Sequence, residues 1–136
     1  MKPVVLDTHV WLWVMNGAPI AQAAEEAIAQ AAAQGNVFVP AISVWEVGML
    51  EAKGRLQLSA PVLQWAERAL QAPGIRLAEL TPAIAIASSQ LPGVLHGEPA
   101  DRLIAATARH HSALLITRDQ KLIDYGQTGF LQVVPA

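Results

Sequence analysis

The chain has 136 residues, the usual size of one domain, and we expect a single domain over residues 1–136. Hydrophobic residues make up 53% and charged residues 15%, so most helices and strands should be buried on more than one side. The absence of cysteine excludes disulfides, zinc–thiolate sites and a cysteine nucleophile, and it is compatible with a reducing cytosol. The net charge of −2 argues against long, non-specific contacts with nucleic-acid phosphates. No apolar run reaches the ~18 residues of a membrane span and no signal peptide is evident, which predicts a cytoplasmic protein without a membrane partner.

Short apolar or alternating segments predict strands, and helical segments separate them in sequence. The predicted strands are residues 4–6, 37–39, 76–80, 113–117 and 130–134. Helices are expected over residues 8–15, 19–34, 43–53, 60–71, 81–91, 100–110 and 119–125. Strands that alternate with helices predict an α/β fold, with a central, mainly parallel sheet of about five strands and helices on both faces.

Four acidic residues should meet at one edge of this sheet. Asp7 follows the first strand directly, and Asp119 lies just after the strand at 113–117. Glu46 lies one turn into the helix after the second strand, and Asp101 opens the helix that leads to the strand at 113–117. In an open parallel sheet, ligands bind beyond the carboxyl ends of the strands, and all four acids are predicted at that end.

Each acid also has a purely structural explanation. Asp7 can cap the helix that follows it, and Ser43-x-x-Glu46 matches a capping box. Asp101 and Asp119 are first-turn acids, which the helix dipole favours. Helix capping does not explain why all four lie at the same edge, whereas a cation among mutually repelling carboxylates does. Hard oxygen donors without cysteine suit Mg²⁺ or Mn²⁺, and such a site indicates hydrolysis of a phosphodiester by a metal-activated water.

Four segments carry a resemblance to a known family: VLDTHVWLW, SVWEVGMLEAKGRL, HGEPADRLIAATA and LLITRDQKL. In this order and spacing the chain resembles PIN-domain proteins, and within them the VapC-like ribonuclease toxins of type II toxin–antitoxin modules. The resemblance implies a three-layer α/β/α sandwich and a Mg²⁺- or Mn²⁺-dependent endoribonuclease. It also implies an RNA substrate, a small VapB-like antitoxin as partner, and a homodimer.

The resemblance places the catalytic and metal-binding acids at Asp7, Glu46, Asp101 and Asp119. It adds small polar and basic residues beside the acids, namely Thr8, Thr117, Arg102 and Arg118. Many relatives have Asp at the position of Glu98, so Glu98 is a further candidate, either as a ligand or as a residue that holds its loop.

Two other functions stay open at this point. The first is a catalytically weak, PIN-like module that binds nucleic acid. The second is a Mg²⁺-dependent phosphatase or phosphotransferase that uses Asp7, although His9 stands where such enzymes usually carry a second acid. Among the aromatic residues, Trp11 and Trp45 are expected near the site, with core or interface packing favoured over stacking on an RNA base.

Overall fold

The structure, a computed structural model, describes residues 2–136. Within that range the strands are β1 (Val4–Leu6), β2 (Val37–Pro40), β3 (Ile75–Ala78), β4 (Leu114–Thr117) and β5 (Val133–Pro135). The helices are α1 (Thr8–Met15), α2 (Gln22–Ala33), α3 (Ala41–Ala52), α4 (Val62–Leu70), α5 (Pro82–Ser89), α6 (Pro99–His110) and α7 (Gln120–Gln127). Over these same residues we find no helix with the length and apolar character needed to cross a membrane.

The strands form one sheet in the order β3-β2-β1-β4-β5, and every neighbouring pair is parallel. This confirms the predicted five-stranded parallel sheet. β1 is central, since it pairs with β2 on one side and with β4 on the other. The carboxyl ends of β1 and β4 therefore lie side by side, where the sequence placed Asp7 and Asp119.

Helices cover both faces of the sheet, as the three-layer prediction requires. Side chains alternate between the faces of β1, as they do in any strand. Val4 and Leu6 belong to a core cluster with buried residues of α1 to α4, whereas Val5 belongs to a second cluster with buried residues of α6 and α7. All three β1 side chains are fully buried, because helices cover both faces of this strand and a strand pairs with each of its edges.

The element boundaries differ from the prediction in three informative places. α2 begins at Gln22, with Ala21 as its N-cap, rather than at residue 19. α3 begins at Ala41, directly after β2, and its N-cap Pro40 has no side-chain cap bond. The predicted capping box from Ser43 to Glu46 is therefore wrong, because both residues lie inside the helix. β5 starts at Val133 rather than at residue 130.

Candidate active site

Asp7 sits at the junction of β1 and α1, where both of its carboxylate oxygens accept hydrogen bonds. Its extended backbone (φ −63°, ψ 157°) is that of an N-cap residue, and its Oδ1 accepts from the Thr8 amide at 2.8 Å. Its Oδ2 accepts from the Thr117 hydroxyl at 2.6 Å. The capping explanation for Asp7 is thus correct, but capping uses one oxygen and leaves the other toward β4.

Thr117, the last residue of β4, connects Asp7 with Asp119. Its hydroxyl donates to Asp7 and accepts from the Asp119 amide at 3.0 Å. Asp119 in turn caps α7, with Oδ1 accepting from the Lys121 amide at 2.8 Å. The side chain of Thr117 is fully buried, so this hydroxyl is a fixed link between two acids that are 112 residues apart in sequence.

Glu46 is held by a chain of hydroxyl groups that starts in the core. The Thr8 hydroxyl lies 2.6 Å from Glu46 Oε1 and 2.9 Å from the Ser43 hydroxyl oxygen. A carboxylate only accepts and a hydroxyl has one proton, so Thr8 donates to Glu46 and accepts from Ser43. Ser43 is fully buried. The sequence pattern Ser-x-x-Glu therefore marks a support for the site rather than a helix cap.

Asp101 and Glu98 form a capping box at the start of α6. Asp101 Oδ2 accepts from the Glu98 amide at 2.9 Å, and the Glu98 carboxylate accepts from the Asp101 amide. The Glu98 side chain is therefore engaged in holding this turn. Gly97 was missed by the sequence reasoning: a Cβ there would stand 2.8 Å from the Asp101 Cβ and 3.0 Å from its Oδ2, so only glycine fits without displacing Asp101.

The four acids are close enough to interact electrostatically. Burial is the main factor that raises the pKa of Asp7, Glu46 and Asp101 above their ordinary values, and hydrogen bonds offset part of that rise. Neighbouring negative charges raise these pKa values further. The Asp119 charge raises the pKa of Asp7, and the Asp7 charge raises the pKa of Glu46 and of Asp101. The Asp119 charge also raises the pKa of Asp101, and the Asp101 charge raises the pKa of Glu46. Four segments of the chain thus bring four carboxylates close enough together to influence one another's ionisation.

The acids are near one another without forming a closed cage. Over residues 2–136, no three Asp, Glu or His side chains are placed so that they enclose a metal ion. The carboxylate oxygens of Asp7, Glu46 and Asp101 instead accept hydrogen bonds from the hydroxyl and amide donors described above. The donor set is made of hard oxygens. The neighbouring carboxylates add to the rise in pKa that burial causes, and a divalent cation would relieve this repulsion, so these residues fit Mg²⁺ or Mn²⁺.

The two basic candidates have different surroundings. The Arg102 guanidinium donates to the Ser88 and Leu95 carbonyls, at 2.9 and 3.3 Å, and so ties α6 to the end of α5 and to the following loop. Arg118 is exposed, and its Nε donates to the Ala136 carbonyl at 3.0 Å. Of the two, Arg118 is the one that lines a cleft together with Asp7 and Asp119.

The aromatic residues divide between core and surface. Trp11 is fully buried and packs against Trp65 at a centroid distance of 5.0 Å, which is the core packing that was favoured. Trp45 is 54% exposed and lies beside Glu46 in a shallow groove on α3. Trp13, which the sequence reasoning did not single out, lines the cleft beside Asp7; its position four residues after His9, on one helix face, was the available signal.

Comparison with known proteins identifies the class to which this fold and acidic site belong. The PIN domain family matches residues 4–127. Ribonuclease VapC22 of Mycobacterium tuberculosis is 38% identical over 123 residues, which cover 90% of this chain and 91% of that protein. The chain belongs to the PIN domain family.

Solved structures support the same fold at lower sequence identity. VapBC2 from Rickettsia felis, bound to a DNA fragment from its promoter, superposes with a TM-score of 0.68 at 15% identity, over 97% of each chain. DNA-bound VapBC from Salmonella typhimurium gives a TM-score of 0.67 at 16% identity, over 99% of this chain and 98% of the other. FitAcB from Neisseria gonorrhoeae gives 0.65 at 22% identity, over 96% and 95%.

Proposed function

We propose that this protein is an endoribonuclease that depends on Mg²⁺ or Mn²⁺ and acts as the toxin of a toxin–antitoxin pair. The observation that carries the proposal is the convergence of Asp7, Glu46, Asp101 and Asp119 at the carboxyl edge of the sheet. Hydroxyl groups orient the first two carboxylates and backbone amides orient the other two. The 38% identity to Ribonuclease VapC22 over most of both chains supports the choice of RNA as substrate.

In this proposal Asp7, Glu46 and Asp101 would hold the cation, directly or through water, and Asp119 would support it or a second ion. When bound, the divalent ion supplies an activated water and stabilises charge on the phosphate and the leaving oxygen. Hydrolysis in which water replaces the 3′-oxygen at phosphorus would give a 5′-phosphate and, once the leaving oxygen takes up a proton, a 3′-hydroxyl. Neither product requires a protein nucleophile.

The chain's own contribution is to orient its carboxylates before substrate arrives. Thr117 fixes Asp7 and the Asp119 backbone, and Thr8 fixes Glu46. The capping box fixes the Asp101 carboxylate against the Glu98 amide. Supporting hydrogen bonds of this kind are worth about 10- to 100-fold in metal affinity or activity in other metal sites. Arg118 offers a positive charge next to two of the acids for the phosphate of the substrate.

The proposed partner is a small VapB-like antitoxin that binds the chain and blocks the site. Its support is the similarity of the fold to toxin chains solved as VapBC complexes. A basic segment of the antitoxin would complement the four acids. The homodimer that the family resemblance implies belongs to this same proposal. The cytoplasmic location belongs to it as well, because the proposed substrate is cellular RNA.

A mixed RNA pool incubated with purified protein tests the proposal. We expect cleavage with Mg²⁺ or Mn²⁺, none with EDTA, and a loss of about 100-fold or more in Asp7→Asn and Asp101→Asn. Asp124→Asn is the matched control, since this acid lies on α7, where one of its oxygens accepts from the Gln120 amide group at 2.7 Å. Cleavage that survives both site substitutions would reject the assignment.

One observation favours a second candidate, the weakly catalytic nucleic-acid-binding module. Over residues 2–136, no group of three Asp, Glu or His side chains is arranged to hold a metal ion. RNA binding by the folded protein without cleavage in either metal would favour this candidate. The same experiment therefore separates the two functions.

A further inference from the structure

A cleft of about 270 Å³ opens beside Asp7 and Asp119, and Glu46 is not among the residues that line it. Its remaining walls are formed by His9, Val10 and Trp13 of α1 and by Arg118. It therefore combines an aromatic surface, a guanidinium and a histidine with two of the proposed catalytic carboxylates. None of the steps proposed above uses Trp13 or His9.

Arg118 and Trp13 form a preassembled pair in this cleft. The guanidinium carbon lies 4.1 Å from the centre of the Trp13 ring, well within the ~6 Å range of a cation–π contact. The bond from Arg118 Nε to the Ala136 carbonyl holds the guanidinium, and the Ala136 amide is itself bound to the Thr117 carbonyl at 2.9 Å. The pair is thus anchored to β4, next to the acids, before any ligand binds.

The same chain contains a comparable pair that lies away from the acids. The Arg76 guanidinium lies 5.7 Å from the centre of the Phe38 ring, at β3 and β2, and the pocket beside that ring is lined by residues other than the four acids. A cation over an aromatic ring is therefore not by itself a sign of a site. The Arg118–Trp13 pair differs from the Arg76–Phe38 pair because two proposed catalytic acids share its cleft.

We propose that the Arg118–Trp13 cleft is a subsite for one unstacked nucleotide of single-stranded RNA. A base gains contact with planar groups, either the indole or the guanidinium face, and the adjoining phosphate gains the guanidinium N–H donors. The neighbouring phosphodiester then lies at Asp7 and Asp119. The inference rests on the proposed function, and it narrows the substrate to RNA whose bases are free to leave the stack, rather than regular duplex.

Binding to a variant that does not cleave tests the subsite independently of catalysis. The parent is Asp101→Asn in Mg²⁺, and the probes are fluorescein-labelled pools of random single-stranded 12-mers and of duplexes of equal length. Trp13→Leu and Arg118→Ala should each weaken single-strand binding about tenfold. Trp13→Phe and Arg118→Lys should retain most of it, and Arg76→Ala is the control that should change nothing. Melting temperatures identify any variant that fails to fold. Arg118 is exposed, so Arg118→Ala carries the test if Trp13→Leu does not fold.

Three results would overturn the inference: equal binding by Trp13→Leu, Arg118→Ala and parent, equal losses for single strands and duplexes, or no binding of single strands by the parent. Cleavage kinetics in the chain with Asp101 intact give a second readout. Trp13→Leu should raise KM for RNA with a smaller effect on kcat, which a misplaced catalytic carboxylate would not produce. Absence of any cleavage, with the binding differences present, would reject the proposed function and leave the subsite standing.

Discussion

The hydroxyl group of Thr117 holds two of the acidic residues, Asp7 and Asp119, in their positions. It donates to Asp7 at 2.6 Å, a short distance typical of bonds to a charged acceptor, and it accepts from the Asp119 amide. The Thr117 side chain itself is fully buried. Removing this hydroxyl therefore leaves a half-buried carboxylate oxygen and a backbone amide without their partner.

Thr117→Val keeps the shape of the side chain and deletes the hydroxyl. We expect RNA cleavage to fall by about 10- to 100-fold, because Asp7 loses the bond that fixes Oδ2, while Thr117→Ser should retain most activity. Steady-state cleavage rates measure the effect. Thr107→Val is the matched control: this buried hydroxyl donates to the Leu103 carbonyl at 2.7 Å within α6. An active Thr117→Val enzyme would show that the hydroxyl only serves folding.

At the scale of elements, the turn into α6 shows how backbone shape controls the position of a proposed catalytic side chain. The chain passes so close to Asp101 at Gly97 that a Cβ has no room, and the capping box then fixes the Asp101 carboxylate. Here glycine is required for a close approach and not for a left-handed backbone, since the left-handed glycines lie elsewhere in the chain. The first turn of α6 is thus shaped around one acid.

Gly97→Ala should displace Asp101 and lower cleavage by about 10- to 100-fold, since small misplacements of a reacting group have effects of that size. Gly48→Ala is the control, because nothing lies within 4 Å of its added Cβ inside α3. That substitution should leave activity unchanged and stabilise the fold by about 0.5–1 kcal/mol. The two measurements are initial rates and urea unfolding midpoints, and equal activity of the two variants would contradict the steric argument.

The elements also show what the sequence could and could not predict. Thr81 caps α5 with Pro82 after it, as expected, because that signal is local to the helix end. Ser43 was misread as a cap, because β2 runs into α3 without a turn residue to mark the boundary. The acids were predictable from strand order, whereas the close approach of Gly97 to Asp101 and the packing of Arg118 over Trp13 are distances that the sequence does not give.

At the scale of the whole molecule, the ionised acids lower the stability of the metal-free fold. Folding raises the pKa of Asp7, Glu46 and Asp101 from ordinary values of 3.8, 4.5 and 3.8, mainly through burial. A carboxyl whose pKa is raised by folding stabilises the fold below its ordinary value, and that contribution is lost as pH rises through the folded value. The metal-free protein should therefore lose stability as pH rises from about 4 towards neutral.

Melting temperatures in EDTA, taken from pH 4 to pH 8, measure this effect. Asp7→Asn should melt at about the same temperature as the unmodified chain near pH 4 and a few degrees above it at neutral pH, because the amide carries no charge to desolvate. Mg²⁺ should raise the melting temperature of the unmodified chain at neutral pH and remove the advantage of the variant. Asp124→Asn is the control, and an Asp7→Asn chain that melts lower at every pH would refute the electrostatic account.

The position of β4 between β1 and β5 has a consequence for how the protein is made. Translation delivers the N-terminal part first, so Asp7, Glu46 and Asp101 emerge before β4 exists. Until residues 114–119 emerge, β1 lacks one of its two neighbours, and Asp7 lacks the hydroxyl that orients it. A nascent chain still short of that point has no finished site. The assembled site therefore appears only after β4 has been synthesised.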